Sequence, residues 1–244
     1  MFTVEDRERL RQRVLEMAKE DARIVAGAVV GSLALSEGDK WADLDLTFGV
    51  ADDSKVNDVL ADWTRQIVEE FNAAHLFDLV AGASLYRVFL LPGCLQFDLS
   101  FTPASRFGAT SPRFKLLFGN AVEKPHLQSP PADELFGYAV HHLVRARFCL
   151  ERGRLWQAEY WISAARDYAL SLACHHRRLA ASYGRGFDDL PSEVRERFAG
   201  ALPTSLERDA LLGALRIVID GLIEEGGDSS VGAAKVETWL RELV

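Results

Sequence analysis

The sequence is short of the residues that staple or anchor a chain. Its three cysteines, Cys94, Cys149 and Cys174, are scattered, odd in number and form no CxxC pair. That pattern argues against a disulfide framework and a structural zinc site, and reads as the reduced thiols of a cytoplasmic protein. Long apolar runs are missing too. The longest, such as RIVAGAVVG, falls far below the roughly 20 residues that cross a bilayer, so no membrane is expected as a partner. The first residues lead into EDRERLRQR, which has no apolar core of a secretory leader. Positive charge is in deficit: 28 Lys and Arg against 36 Asp and Glu give a net charge of −8. Such a field repels a phosphate backbone and disfavours nucleic acid as a partner.

What is present describes a globular chain. Its 244 residues suffice for two domains with separate cores, and 48% hydrophobic with 26% charged residues is ordinary for such folds. Leu10, Val14 and Met17 recur on one stripe behind Thr3, predicting a helix from there to about Asp21. RIVAGAVVG reads as a buried strand. Val56, Val59, Leu60, Trp63, Ile67 and Phe71 mark a second helix behind an Asp/Ser cap. LFDLVAG, YRVFLL and CLQFDLSF read as strands, the last two joined into a hairpin by Pro92-Gly93. Beyond Pro130-Pro131 the pattern is helical, with helices expected near 132–152, 155–180, 191–200, 205–225 and 230–243. The expected fold class is α+β: a mixed-sheet domain over 1–128, then an all-α domain over 129–244.

The stretch VVGSLALSEGDKWADLDLTF, residues 29–48, carries the chemistry. Side chains alternate along a strand, so Asp43 and Asp45 project to one side while Leu44 and Leu46 face a core. Two adjacent carboxylates repel unless a cation sits between them, and hard oxygen ligands suit Mg²⁺. CLQFDLSF repeats the alternation and puts Asp98 on the polar face. If the two strands are neighbours, Asp43, Asp45 and Asp98 form a cluster able to hold two Mg²⁺ ions. Gly31-Ser32 ends the preceding strand, where Gly admits a close ligand and residues 32–36 can start a short helix pointing N–H groups at an anion.

In these residues the chain resembles the nucleotidyltransferase superfamily of DNA polymerase beta, the CCA-adding enzymes and the aminoglycoside and lincosamide nucleotidyltransferases. The shared signature is an apolar strand, Gly-Ser, a spacer of residues 33 to 42, Asp43-x-Asp45 and a third acid on a later strand, Asp98. The resemblance covers the first 105 residues well, and YWISAARDYALSLACHHRRL more loosely, as a helix pair of the bundle. It implies a catalytic domain over 1–128 and a helical domain over 129–244 bearing much of the acceptor site. The implied activity is Mg²⁺-dependent transfer of a nucleoside monophosphate to a hydroxyl of a small molecule, possible antibiotics included, with release of pyrophosphate. ATP is the implied donor.

In this resemblance Asp43, Asp45 and Asp98 hold the metals, Asp98 also takes the acceptor's proton, and Gly31 and Ser32 hold the β and γ phosphates. Ala42 stands where many members have Ser. Gly137 and His141 stand where kanamycin-modifying members have a Glu base and a Lys; streptomycin-type members use an acid of the catalytic domain, the role given to Asp98. Transfer to a protein or RNA acceptor, and a catalytically silent nucleotide-binding protein, remain open as alternatives, as do a monomer and a homodimer.

Other residues carry paired readings. Lys40 reads as an exposed loop lysine, with a phosphate contact as the alternative, and Trp41 as a packing anchor, with a base-stacking platform as the alternative. Arg166 is a candidate contact for the triphosphate, with Glu159 or Asp167 toward a cationic acceptor; the alternative is a surface network of Glu159, Ser163 and Arg166. His141-His142 do not share a helix face and make a poor metal site. The cluster at 175–178 complements a helix end, and Arg185 reads as a solvated turn residue.

Overall fold

Helix α1 (Val4–Glu20) starts at a reciprocal cap: the Thr3 hydroxyl accepts from the Asp6 amide, and the Asp6 carboxylate accepts from the Thr3 amide. Its Leu10, Val14 and Met17 are buried. The computed structural model describes residues 1–35, 38–126, 128–226 and 233–244. The chain divides into two compact units, 1–127 and 128–244.

In the first unit the strands are β1 (Ile24–Val30), β2 (Leu44–Val50), β3 (Ala74–Ala81), β4 (Ser84–Leu91), β5 (Leu95–Pro103) and β6 (Phe114–Phe118). They form one sheet in the order β3-β4-β5-β2-β1-β6. Only the central β2–β5 pair is parallel; the other four pairings are antiparallel. Helix α2 (Val56–Phe71) lies in sequence between β2 and β3 and, with α1, closes one sheet face. Phe48, Phe97, Leu99 and Phe101 meet Trp63 and Ile67 there in the main core. The Trp63 indole N–H donates to Asp21 at 2.9 Å, and Arg23 clamps both Asp21 and Asp62.

Two features of this unit were not expected from the sequence. Strand β6 adds an edge beside β1. At the other edge, every residue of β3 is exposed, although its Leu76, Phe77, Leu79 and Val80 are apolar.

The second unit is helical, with α3 (Ala132–Glu151), α4 (Leu155–His176), α5 (Ser192–Ala199), α6 (Arg208–Gly226) and α7 (Ala233–Arg241). Residues 230–232 of the expected last helix lie outside the described residues. Helices α3 and α4 form the most extensive pair, and α6 packs on both. Their small and aliphatic residues, Ala139, Leu143, Ala146, Ile162, Ala165, Ala169 and Leu215, are fully buried. Glu225 is also buried, and its carboxylate accepts from Arg177 at 2.8 Å and from Arg197 at 3.1 Å. No local pattern of residues signals this paired charge within a helix end.

Candidate active site

Strands β2 and β5 run side by side in register, with Leu44 beside Phe97, Asp45 beside Asp98, Leu46 beside Leu99 and Thr47 beside Ser100. Neighbouring residues in such a ladder face the same way, at a strand spacing of about 4.8 Å. The leucines and phenylalanines are buried in the main core. Asp45 and Asp98 therefore share the opposite face, and both are half-buried.

That face is polar and hydrogen-bonded below the acids. The Ser100 hydroxyl donates to Thr47 at 2.8 Å, and Thr102 is paired with Ser84 at 2.7 Å. Ser100 and Thr102 are almost wholly buried. Across each strand boundary a hydroxyl answers a hydroxyl, so the ladder leaves neither unsatisfied.

Asp43 lies one residue before β2 begins. Its charge acts on Asp98: burial first, and the negative charge of Asp43 in addition, push the Asp98 carboxyl above its ordinary value, while a hydrogen bond from Gln96 opposes them. Asp43 is held in place from behind. The buried Arg7 of α1, only 7% exposed, donates to the carbonyl oxygens of Ala42 at 2.5 Å and Asp39 at 2.9 Å. Asp39 in turn accepts from the Trp41 amide at 2.7 Å, closing the loop. Arg7 was missed in the sequence. Its one sequence trace is position: it lies three residues before Leu10, on the stripe that α1 buries.

Gly31 ends β1 with φ of 70°, a left-handed conformation that favours glycine. A Cβ built there would stand 2.1 Å from Oδ2 of Asp45. The glycine backbone thus lies directly against the carboxylate. Its amide donates to the Arg113 carbonyl at 3.2 Å. Ser32 opens a single 3-10 turn, Ser32–Leu35, instead of the short helix expected over 32–36; Ser36 lies outside the described residues.

The chemistry of this grouping is all hard oxygen: carboxylates of Asp43, Asp45 and Asp98 beside a glycine-led turn. Among the described residues, no three His, Cys, Asp or Glu side chains are drawn together closely enough to make a formed metal cluster. The donor type suits Mg²⁺, and the electrostatic load on Asp98 is what a cation would relieve.

Other expected residues stand elsewhere. Trp41 is not a packing anchor: it is 55% exposed, with the Lys40 ammonium 4.6 Å from its ring centre. A short loop clamped by Arg7 holds its backbone and leaves the indole outside. In the second unit, the Glu159–Ser163–Arg166 network is only half present. Ser163 donates to Glu159 at 2.6 Å, whereas the Arg166 guanidinium turns to the adjacent Asp167 at 2.9 Å. His142 Nδ1 contacts the Tyr138 carbonyl, and its ring lies 4.8 Å from that of Trp161. Arg185 lies over the Tyr183 ring at 5.2 Å.

No protein-family profile matches the chain, and no curated protein sequence is similar to it. Among solved structures, it is similar to the crystal structure of an aminoglycoside 6-adenyltransferase from Bacillus subtilis. The match has 13% sequence identity and a TM-score of 0.40, and covers 94% of this chain and 95% of that one. A likeness this distant says nothing about what the present chain acts on.

Proposed function

We propose that the first unit transfers a nucleoside monophosphate, AMP from ATP, to a hydroxyl of a small molecule and releases pyrophosphate. The observation that carries this reading is the residue-for-residue pairing of Asp45 with Asp98 on parallel strands, with Asp43 at the strand mouth and Gly31 seated on Asp45. Asp43, Asp45 and Asp98 would hold Mg²⁺, two ions in the full form. When bound, Mg²⁺ makes the attacking hydroxyl more acidic and neutralises charge on the departing pyrophosphate.

The chain's own residues supply the rest. The acceptor oxygen forms a bond to the α-phosphorus, the bond from that phosphorus to the β-bridging oxygen breaks, and pyrophosphate leaves with the electron pair. The proton of the hydroxyl passes to Asp98, whose raised proton affinity suits a general base. Gly31 lets the backbone come close to the polyphosphate, and Ser32 adds a hydroxyl donor. Arg7 ties down the backbone of the loop from which Asp43 projects, which supports a role for that carboxylate at the mouth of β2.

The test is incubation with Mg²⁺, labelled ATP and a panel of aminoglycosides, lincosamides and simple alcohols, followed by assay of pyrophosphate and labelled product. Asp45→Asn should remain folded and lose transfer. Equal turnover by that variant and the wild type would refute the site. Label appearing on protein or RNA instead would move the acceptor to a macromolecule.

A further inference from the structure

The second unit holds a cavity of about 530 Å³ that the proposed transfer does not use. Tyr168, Ser171 and His175 of α4 line it, with Arg178 just beyond the helix and Ser182 and Tyr183 in the turn that follows. A smaller hollow of about 370 Å³ shares Tyr168, Ser171 and Tyr183. Both volumes lie in the range of small-molecule sites.

Two observations give the cavity a chemical character, and the backbone fixes where its rim residues stand. The Tyr168 ring is fixed: it stacks on Tyr138 at 5.0 Å and 19°, and the His142 ring lies 5.2 Å away. Arg178 and Tyr183 both adopt a left-handed backbone at φ of 57°. At Arg178 it is the ordinary left-handed residue that closes a helix end, and it sets where the guanidinium stands. Finally, the charge is reversed relative to the whole chain. In a protein of net charge −8, no carboxylate is among the described residues lining the larger cavity, while the Arg178 guanidinium is.

At the end of α4 the Cys174 carbonyl accepts from the Arg177 and Leu179 amides and the His175 carbonyl from the Arg178 amide, so these helix-end acceptors are satisfied. The smaller hollow does include the Asp167 carboxylate, but Arg166 neutralises it.

We infer that this cavity binds a small molecule combining a flat ring with an anionic phosphate or carboxylate group. The ring lies against Tyr168 and Tyr183, and the anion takes the Arg178 guanidinium with the Ser171 and Ser182 hydroxyls. The inference goes beyond the proposed transfer: it uses second-unit residues alone and needs no metal.

Two sources offer this chemistry, a nucleoside monophosphate and an aromatic acid, so the probes are AMP and 4-hydroxybenzoate, with ribose 5-phosphate as the ringless control. Titration calorimetry on the full chain in EDTA silences any metal-dependent site. At least one ring-bearing probe should saturate with a Kd below about 1 mM, and ribose 5-phosphate should bind about tenfold more weakly or not at all. The tighter of the two probes identifies the source. Arg178→Gln and Tyr183→Asn are exposed substitutions, the second tolerant of the left-handed backbone. Each should weaken binding, Arg178→Gln by about tenfold, with the circular-dichroism melt unchanged. Asp45→Asn should bind as the wild type does. The inference is overturned if neither probe saturates, if Arg178→Gln binds with wild-type affinity, or if Asp45→Asn abolishes binding. The last result would assign the ligand to the acids of the first unit.

Discussion

Replacing Gly31 by Ala probes the contact between backbone and acid on which the transfer reading depends. Two separate costs follow from the geometry. The residue sits at φ of 70°, so any L side chain there loses about 1 kcal/mol of stability. The new Cβ would also stand 2.1 Å from Oδ2 of Asp45, against 3.4 Å for ordinary contact, so the carboxylate must retreat by more than an ångström. Gly82, in the β3–β4 turn, separates the two costs. It has φ of 61° and nothing within 4 Å of a built Cβ, so Gly82→Ala bears the backbone cost alone. Urea denaturation should show both variants destabilised by about 1 kcal/mol, with an added loss at position 31. Calorimetric titration with Mg²⁺ and ATP should show Gly31→Ala weakened by about tenfold or more, equal to about 1.4 kcal/mol, and Gly82→Ala unchanged. If Gly31→Ala binds Mg²⁺·ATP as the wild type does, the position of Asp45 is immaterial to nucleotide binding and the reasoning fails.

Other expectations rest on single interactions. Arg7→Ala frees the loop before Asp43; it should weaken Mg²⁺·ATP binding in the same titration, whereas an Arg9→Ala control on the exposed side of α1 should not. Ser100→Ala leaves the buried Thr47 hydroxyl without its donor and should cost about 1 kcal/mol in denaturant, most of it recovered by adding Thr47→Val. Glu225→Ala strips the shared partner from Arg177 and Arg197, and should lower stability by about 3 kcal/mol in a urea melt. Asp21 is held down to about 2, chiefly by Arg23 and also by the Trp63 N–H, from an ordinary 3.8. Its folded value lies below its unfolded one, so it stabilises the fold above pH 4, and that contribution drains away as pH falls from 4 toward 2. The loss is at most about 2 kcal/mol, and Asp21→Asn should flatten the acid limb of a pH–stability profile.

The sequence exposed the acids because strand alternation is a local signal: Asp45 and Asp98 each lie between residues that must be buried. Thr3, the apolar stripes of α1 and α2 and the Pro92-Gly93 turn are likewise read over a few positions. What stayed hidden depends on distant partners. Phe114–Phe118 is too short, and its apolar positions too irregular, to announce a strand, and it becomes one only by pairing with β1. The apolar residues of β3 suggest burial, yet their place at the sheet edge leaves them exposed. Arg7 and Glu225 are charged residues at buried positions, and their partners lie 32 to 35 and 28 to 48 residues away. No local pattern reveals such pairings.

The Ser100–Thr47 hydroxyl pair ties β5 to β2 beneath the acids, and the Thr102–Ser84 pair ties β5 to β4. Sliding β2 past β5 by one residue would carry a carboxylate into the phenylalanine-filled core and expose a leucine in its place. The two main chains therefore act as a fixed bed. Any change of spacing between the acids, to suit a different ion or a different stage of a reaction, has to come from rotation about side-chain bonds, that of Asp43 included, because Arg7 holds its loop.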